Sequence, residues 1–199
     1  WMPKEAMLDG TPAALSGNGS CGGAVTPPSQ PRTYAGACPR GGVDDAGSMF
    51  WGVIKPLLPM RLSAVMWYQG EENDHPDNEC YGTTWYTCLL PSMITYWRRK
   101  FAAPSLPFVY VLLAPGHRAA MREAQVAGGG ALHATAFASA ADLGALAEEY
   151  LIPGHPPRKQ QLGRRLSLAA RALVLGEAVD YRGPAVVAAR VRVAQSNAT

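Results

Sequence analysis

Leu62-Ser63-Ala64-Val65-Met66-Trp67-Tyr68-Gln69-Gly70-Glu71-Glu72-Asn73 is the stretch on which the reading of this chain turns. Residues 62–68 form a continuous apolar run that stops at Gln69-Gly70 and a polar loop. An apolar run of that length, with no alternation and a sharp polar end, predicts a strand covered on both faces, as in a parallel sheet. The polar residues then fall at its carboxyl end, the edge where open α/β sheets bind ligands.

Upstream, Met49–Leu58 is apolar and runs into Pro59, which suits a short helix and a connecting turn. Residues 9–48 are rich in Gly, Pro and Ser and show no helical or strand period, so they read as a long surface excursion. Downstream, Thr83–Phe101 is predicted helical, with Leu89, Met93, Ile94 and Trp97 on one face. Arg98, Arg99 and Lys100 close it, where the helix dipole favours cations. Pro91 inside this helix predicts a kink or a late start.

Phe108–Leu113 reads as a second buried strand and Arg118–Val126 as a short helix ended by Gly128-Gly129-Gly130. His133–Ala140 reads as a third strand. Pro157–Leu175 is the last long helix, with Leu162, Leu166, Ala169, Ala170 and Leu173 as its apolar stripe and Gly176 as its C-cap. Strands alternating with helices predict an α/β sandwich around a parallel sheet. The two loops at its strand ends, Gln69–Glu79 and Ala141–Pro156, are where function is expected. Residues 178–199, with Val186-Val187 and Val191-Val193, read as a tail that could begin a β-module.

The composition fits one compact domain: 199 residues, 48% hydrophobic and 17% charged. The net charge of +3 is small and the Lys and Arg do not gather into a basic face, so nucleic-acid binding is not expected. No apolar run reaches the roughly 18 residues of a membrane span. The chain starts at Trp1 with no cleavable leader after it, which reads as a processed chain or a fragment. Cys21, Cys38, Cys80 and Cys88 show no CxxC pair and no zinc-finger spacing, so no metal site is expected. Their even number fits two disulfides, with three pairings open, or four reduced buried thiols. Sequons at Asn18 and Asn197 favour a secretory compartment, lysosomal or extracellular.

Among residues suited to chemistry, the Gln69 amide could donate a hydrogen bond to a developing oxyanion, and Glu71 could orient a histidine. Equally, both could cap the next helix or face solvent. His155 sits on a Pro-rich loop just before a long helix, where a general base can be held and still reach a substrate. Asp142, Glu148 and Glu149 lie near it in sequence, and Asp142 is an alternative orienting acid. His75, His117 and His133 have no better company and read as structural or exposed.

Taken together, Met49–Met60, Leu62–Asn73, Trp85–Phe101 and His155–Glu177 resemble the sialate O-acetylesterase family of SGNH hydrolases. The carrying motifs are Trp67-Tyr68-Gln69-Gly70-Glu71, which matches a "WYQGE" strand end, and His155–Gln160 with Arg165–Glu177, which match a "HPRDKQ…RLALAARAL.YGE"-like stretch. Trp1–Met7 is similar to a further segment, "WGGT.IEAW". This resemblance implies a three-layer sandwich spanning residues 1–177, incomplete at its N-terminus. It implies a serine esterase that removes O-acetyl groups from sialic acids, with His155 as base, Glu71 or a nearby Asp as orienter and Gln69 in the oxyanion hole. No metal or organic cofactor is implied.

The departures are specific. The family nucleophile belongs to a "GQSN" motif ahead of the matching segments, and none of the serines here sits in such a strand-to-turn setting. Met2 stands where a glycine is expected, Trp51 where an Asn is expected, and the Asp residues flanking the histidine motif are absent. The expectation is a chain inactive by itself. A non-catalytic, secreted carbohydrate-binding or interaction protein on a decayed esterase scaffold is the alternative.

Overall fold

The computed structural model describes residue 1 and residues 47–74, 83–144 and 156–183. Three strands, β1 (Val65–Trp67), β2 (Phe108–Leu112) and β3 (Thr135–Ser139), form a parallel sheet in that order. Val65 pairs with Phe108, and Phe108 in turn with Thr135, so the register keeps all three carboxyl ends on one edge. The helix α1 (Thr83–Lys100) joins β1 to β2, α2 (Ala119–Gly130) joins β2 to β3, and α3 (Lys159–Leu175) follows β3. A π-helical turn, Phe50–Ile54, runs into a 3₁₀ turn, Lys55–Leu57, ahead of β1.

The three-layer α/β arrangement follows from the alternation in β2, every residue of which is buried. Phe108, Tyr110 and Leu112 point into a cluster with Met93, Ile94 and Trp97 of α1 and Met121 of α2. Val109 and Val111 point the other way, against Ala136, Ala138, Leu162 and Ala169. The small alanines of β3 let α3 approach the sheet, which explains a strand whose side chains carry little β-propensity of their own. Burying a side chain such as Phe108 stabilises the fold by about 1.5–3 kcal/mol.

The outlines match the sequence reading, with instructive differences. β1 is shorter than the apolar run that announced it, since only Val65–Trp67 pair with β2. α1 starts at Thr83 and continues through Pro91 to Lys100. The glycine run does not end α2: the helix continues to Gly130. Gly128 and Gly129 are contact points. A Cβ on Gly128 would stand 2.7 Å from the Thr87 carbonyl oxygen, and one on Gly129 would run into the Tyr110 ring. Pro91 has no N–H to offer the Thr87 carbonyl, so that oxygen is free to lie against α2. Close packing thus offsets the roughly 1 kcal/mol that each helical glycine costs relative to Ala.

Arg98 also departs from expectation. It is buried, and its guanidinium donates to the carbonyls of Leu106 (3.0 Å), His133 (2.7 Å) and Ala134 (3.3 Å). Burial lowers its pKa from the ordinary arginine value. It ties the chain entering β2 to the chain entering β3 and does not simply answer the dipole of α1. At the end of α3, Gly176 adopts the left-handed cap expected of it, with φ of 66°. Cys21, Cys38, Cys80, Asn18, Asn197, His75 and His155 lie outside the described residues, as do residues 184–199 of the tail. No helix among the described residues is long and apolar enough to cross a membrane.

Candidate active site

The turn that leaves β1 is held from three sides. Gly70 has φ of 138°, which L side chains rarely adopt, and a Cβ there would meet Met121 Cε at 2.7 Å. The Gln69 carbonyl accepts from the Tyr86 hydroxyl at 3.1 Å and from Gln125 Nε2 at 3.3 Å. Gln125, buried on α2, also donates to the Val111 carbonyl (2.9 Å) and accepts from the Leu113 N–H (3.1 Å). One carboxamide therefore bridges the carboxyl ends of β1 and β2, satisfying backbone groups that have no ladder partner there.

The Gln69 side chain is also fixed. Its Oε1 accepts from Tyr86 at 3.1 Å and its Nε2 donates to Asn73 Oδ1 at 2.7 Å. A carboxamide has two N–H donors, and the bond to Asn73 uses one. Trp67 Nε1 lies 3.4 Å from the Tyr86 oxygen and donates to it. Burial holds the Tyr86 phenol well above its ordinary pKa, the hydrogen bonds from Trp67 and Gln125 work against that, and the Glu71 charge adds to it. Tyr86 thus stays a protonated donor that locks Gln69.

Glu71, two residues on, is half-buried, and its carboxylate makes no hydrogen bond or ion pair among the described residues. Its charge reaches Tyr68, whose phenol is raised first by burial and then by Glu71. Lys159, at the start of α3, sets its ammonium 4.5 Å from the centre of the Tyr68 ring and donates to the Tyr68 hydroxyl at 3.3 Å. The first turn of α3 is thereby brought to the carboxyl end of β1.

A 3₁₀ turn, Glu72–Asp74, completes the loop. Asp74 is buried and accepts from the Arg118 N–H (2.6 Å), Arg118 Nε (2.8 Å) and Thr83 Oγ1 (3.1 Å), while His117 Nδ1 lies 3.5 Å away. His117 Nε2 is buried without a hydrogen-bond partner among the described residues. Sequence reading gave His117 no company. The structure pairs it with Asp74, which pins the loop after β2 to the loop after β1. Only the tertiary fold brings these two together, since 42 residues lie between them.

Asp142 stands in the loop after β3, exposed, with both oxygens engaged by Arg165 at 2.5 and 2.6 Å. The Arg165 hydrogen bonds hold its carboxyl below the usual aspartate range. Gln69, Glu71 and Asp142 therefore all lie at the carboxyl edge of the sheet, Gln69 and Glu71 on one turn and Asp142 at the far strand.

The three strands and their flanking helices form a parallel α/β sandwich with a hydrogen-bonded polar turn at its strand ends. Residues 52–171 match the family described as carbohydrate esterase, sialic acid-specific acetylesterase. The chain belongs to that family. It is 33% identical over 159 residues to the sialate O-acetylesterases of Homo sapiens and Pongo abelii, a match covering 69% of this chain and 29% of theirs. A crystal structure of a carbohydrate acetylesterase from Xanthomonas citri superposes with a TM-score of 0.56 at 34% identity, covering 65% of this chain and 30% of that one. The chain thus spans less than a third of the length of these relatives.

Proposed function

We propose that this chain forms part of a serine esterase that removes O-acetyl groups from sialic acids. The observation that carries the reading is the Gln69-Gly70-Glu71 turn. Tyr86 and Gln125 fix it at the carboxyl edge, with one amide N–H of Gln69 beyond its bond to Asn73 and the Glu71 carboxylate without a partner among the described residues. The names of the human and orangutan relatives, and the family description, supply the substrate class.

In the reaction a serine Oγ attacks the acetyl carbonyl while His155 takes its proton, and Gln69 donates to the oxygen that becomes negative. The intermediate collapses, the sugar oxygen leaves with the proton from His155, and water then frees acetate from the serine by the same steps. Glu71 orients His155. Asp142 is the alternative orienter, and its engagement by Arg165 makes it the less available carboxylate. His155 is one peptide bond from Pro156 and four residues from Lys159, which touches Tyr68 beside Gln69. That connection supports its place at the same edge.

None of the serines in these 199 residues follows the Gly-x-Ser strand-to-turn pattern, so the chain alone is expected to be inactive. A form of the protein that includes the nucleophile should hydrolyse an aryl acetate and an O-acetylated N-acetylneuraminic acid. His155→Ala in that form should cost about 10²–10⁴-fold in kcat, and unaltered turnover would overturn the assignment of the base. Binding of the acetylated sugar without any turnover would favour a carbohydrate-binding protein on this scaffold.

We place the protein in the secretory pathway. The two sequons support this, as does the disulfide carried by Cys88. Of the possible partners, Cys80 would pin the loop after β1 to α1, and Cys21 with Cys38 would then close the second bridge.

A further inference from the structure

Lys159 and Tyr68 form a pair of donors at the carboxyl end of β1, next to the Gln69 turn in the chain, that the mechanism above does not use. The ammonium rests on the Tyr68 ring and hydroxyl, and it has no carboxylate partner among the described residues. It is exposed. A cation held by a neutral phenol keeps its full charge for a ligand, where a salt bridge would have spent it. The Tyr68 oxygen accepts from Lys159, so its own proton remains to be donated, and no acceptor for it lies among the described residues. Two donors thus stand 3.3 Å apart beside Gln69.

The first turn of α3 adds to the positive charge. The first turn of α3 carries no acidic residue, its capping residue Arg158 makes no side-chain cap, and the positive end of the helix dipole lies there. Glu71, on the neighbouring turn, opposes this field, since its charge reaches the Tyr68 phenol. A group with two negative oxygens, able to accept from an ammonium and a hydroxyl at once, fits this pair better than a neutral sugar hydroxyl, which brings one oxygen and no charge.

We propose that Lys159 and Tyr68 bind the carboxylate of the substrate sugar and so make the site selective for acidic over neutral acetylated sugars. This rests on the esterase reading above and adds the residues that decide its substrate.

The test compares binding of N-acetylneuraminic acid and its methyl ester to the 199-residue chain by titration calorimetry or ligand-observed NMR. The acid should bind about tenfold tighter than the ester. The gap should vanish in Lys159→Ala, shrink in Tyr68→Phe, survive in Lys159→Arg, and narrow as salt is raised. Both side chains are at least partly exposed, so these variants should fold. Equal affinities for acid and ester, a preference that persists in Lys159→Ala, or no binding of either compound would each overturn the proposal. Hydrolysis of neutral and acidic acetyl esters by the nucleophile-bearing form reads the esterase function separately. Equal turnover of both would leave that function standing and remove only the role of Lys159 and Tyr68.

Discussion

Gln125 has three hydrogen bonds to make and nowhere to make them except against backbone. It accepts from Leu113 and donates to Val111 and Gln69, and it is buried throughout. Replacing it by Ala strands the Leu113 N–H and the Val111 carbonyl away from water. An unsatisfied buried group costs about 1–3 kcal/mol, so Gln125→Ala should lower the unfolding free energy by about 2–4 kcal/mol. Urea unfolding measures this, and a change below about 0.5 kcal/mol would mean that the bridge between β1 and β2 carries no stability. Such a residue was not visible in the sequence. A glutamine on a predicted amphipathic helix has no local signal that it points inward. The same holds for Asp74 and His117, whose meeting depends on two loops being set side by side. Gln69 and Glu71 were legible for the opposite reason, because an apolar run that ends abruptly in polar residues marks a strand end by itself.

α2 shows where local rules yield to packing. Three consecutive glycines predict a helix end, since each loses more backbone freedom than any other residue on becoming helical. Here Gly128 and Gly129 face α1 and Tyr110, and the absence of a Cβ is what permits the contact. Gly129→Ala has to displace the Tyr110 ring, so it should destabilise by about 1–3 kcal/mol despite the better helix propensity of Ala. Gly130→Ala, with open space around the added atom, should be neutral or stabilising. Thermal melts of the two variants run in opposite directions if packing holds the glycines in place. α1, α3 and the Gly176 cap were readable because periodicity and a left-handed cap are local properties. The lengths of β1 and α2 were not, because pairing and close approach set them.

For the molecule as a whole, the layered arrangement leaves tyrosines in the apolar interior of the α1–α2 side. Burial pushes Tyr110 up to about 12 from the ordinary 10.0, and raises Tyr86 further still. A folded-state pKa above the unfolded one means that the native protein keeps protons that the unfolded chain sheds. Stability is therefore full below about pH 10 and falls as pH rises from there toward 12. The slope approaches about 1.4 kcal/mol per pH unit for each tyrosine that stays protonated. Urea midpoints at pH 8, 10.5 and 11.5 should decline, and Tyr110→Phe should flatten part of that decline. A midpoint unchanged across the series would show that both phenols ionise in the folded state. The α/β class was legible at this scale because β2 and α3 carry their patterns openly. The pairing of helix α3 with the end of β1 through Lys159 was not, since 91 residues separate the partners.

The contact between α1 and α2 also bears on how such a chain can change over generations. Position 128 has no room for a Cβ because the Thr87 oxygen and the Pro91 ring lie against it, and position 91, being proline, offers that oxygen no N–H. A side chain arriving first at 128 meets the oxygen head-on. If position 91 changes first to a residue with an N–H, the oxygen gains a partner within its own helix and the proline Cδ, 3.1 Å from a Cβ at 128, is gone. The two positions are therefore epistatic, and the paths between this sequence and one with neither residue are ordered.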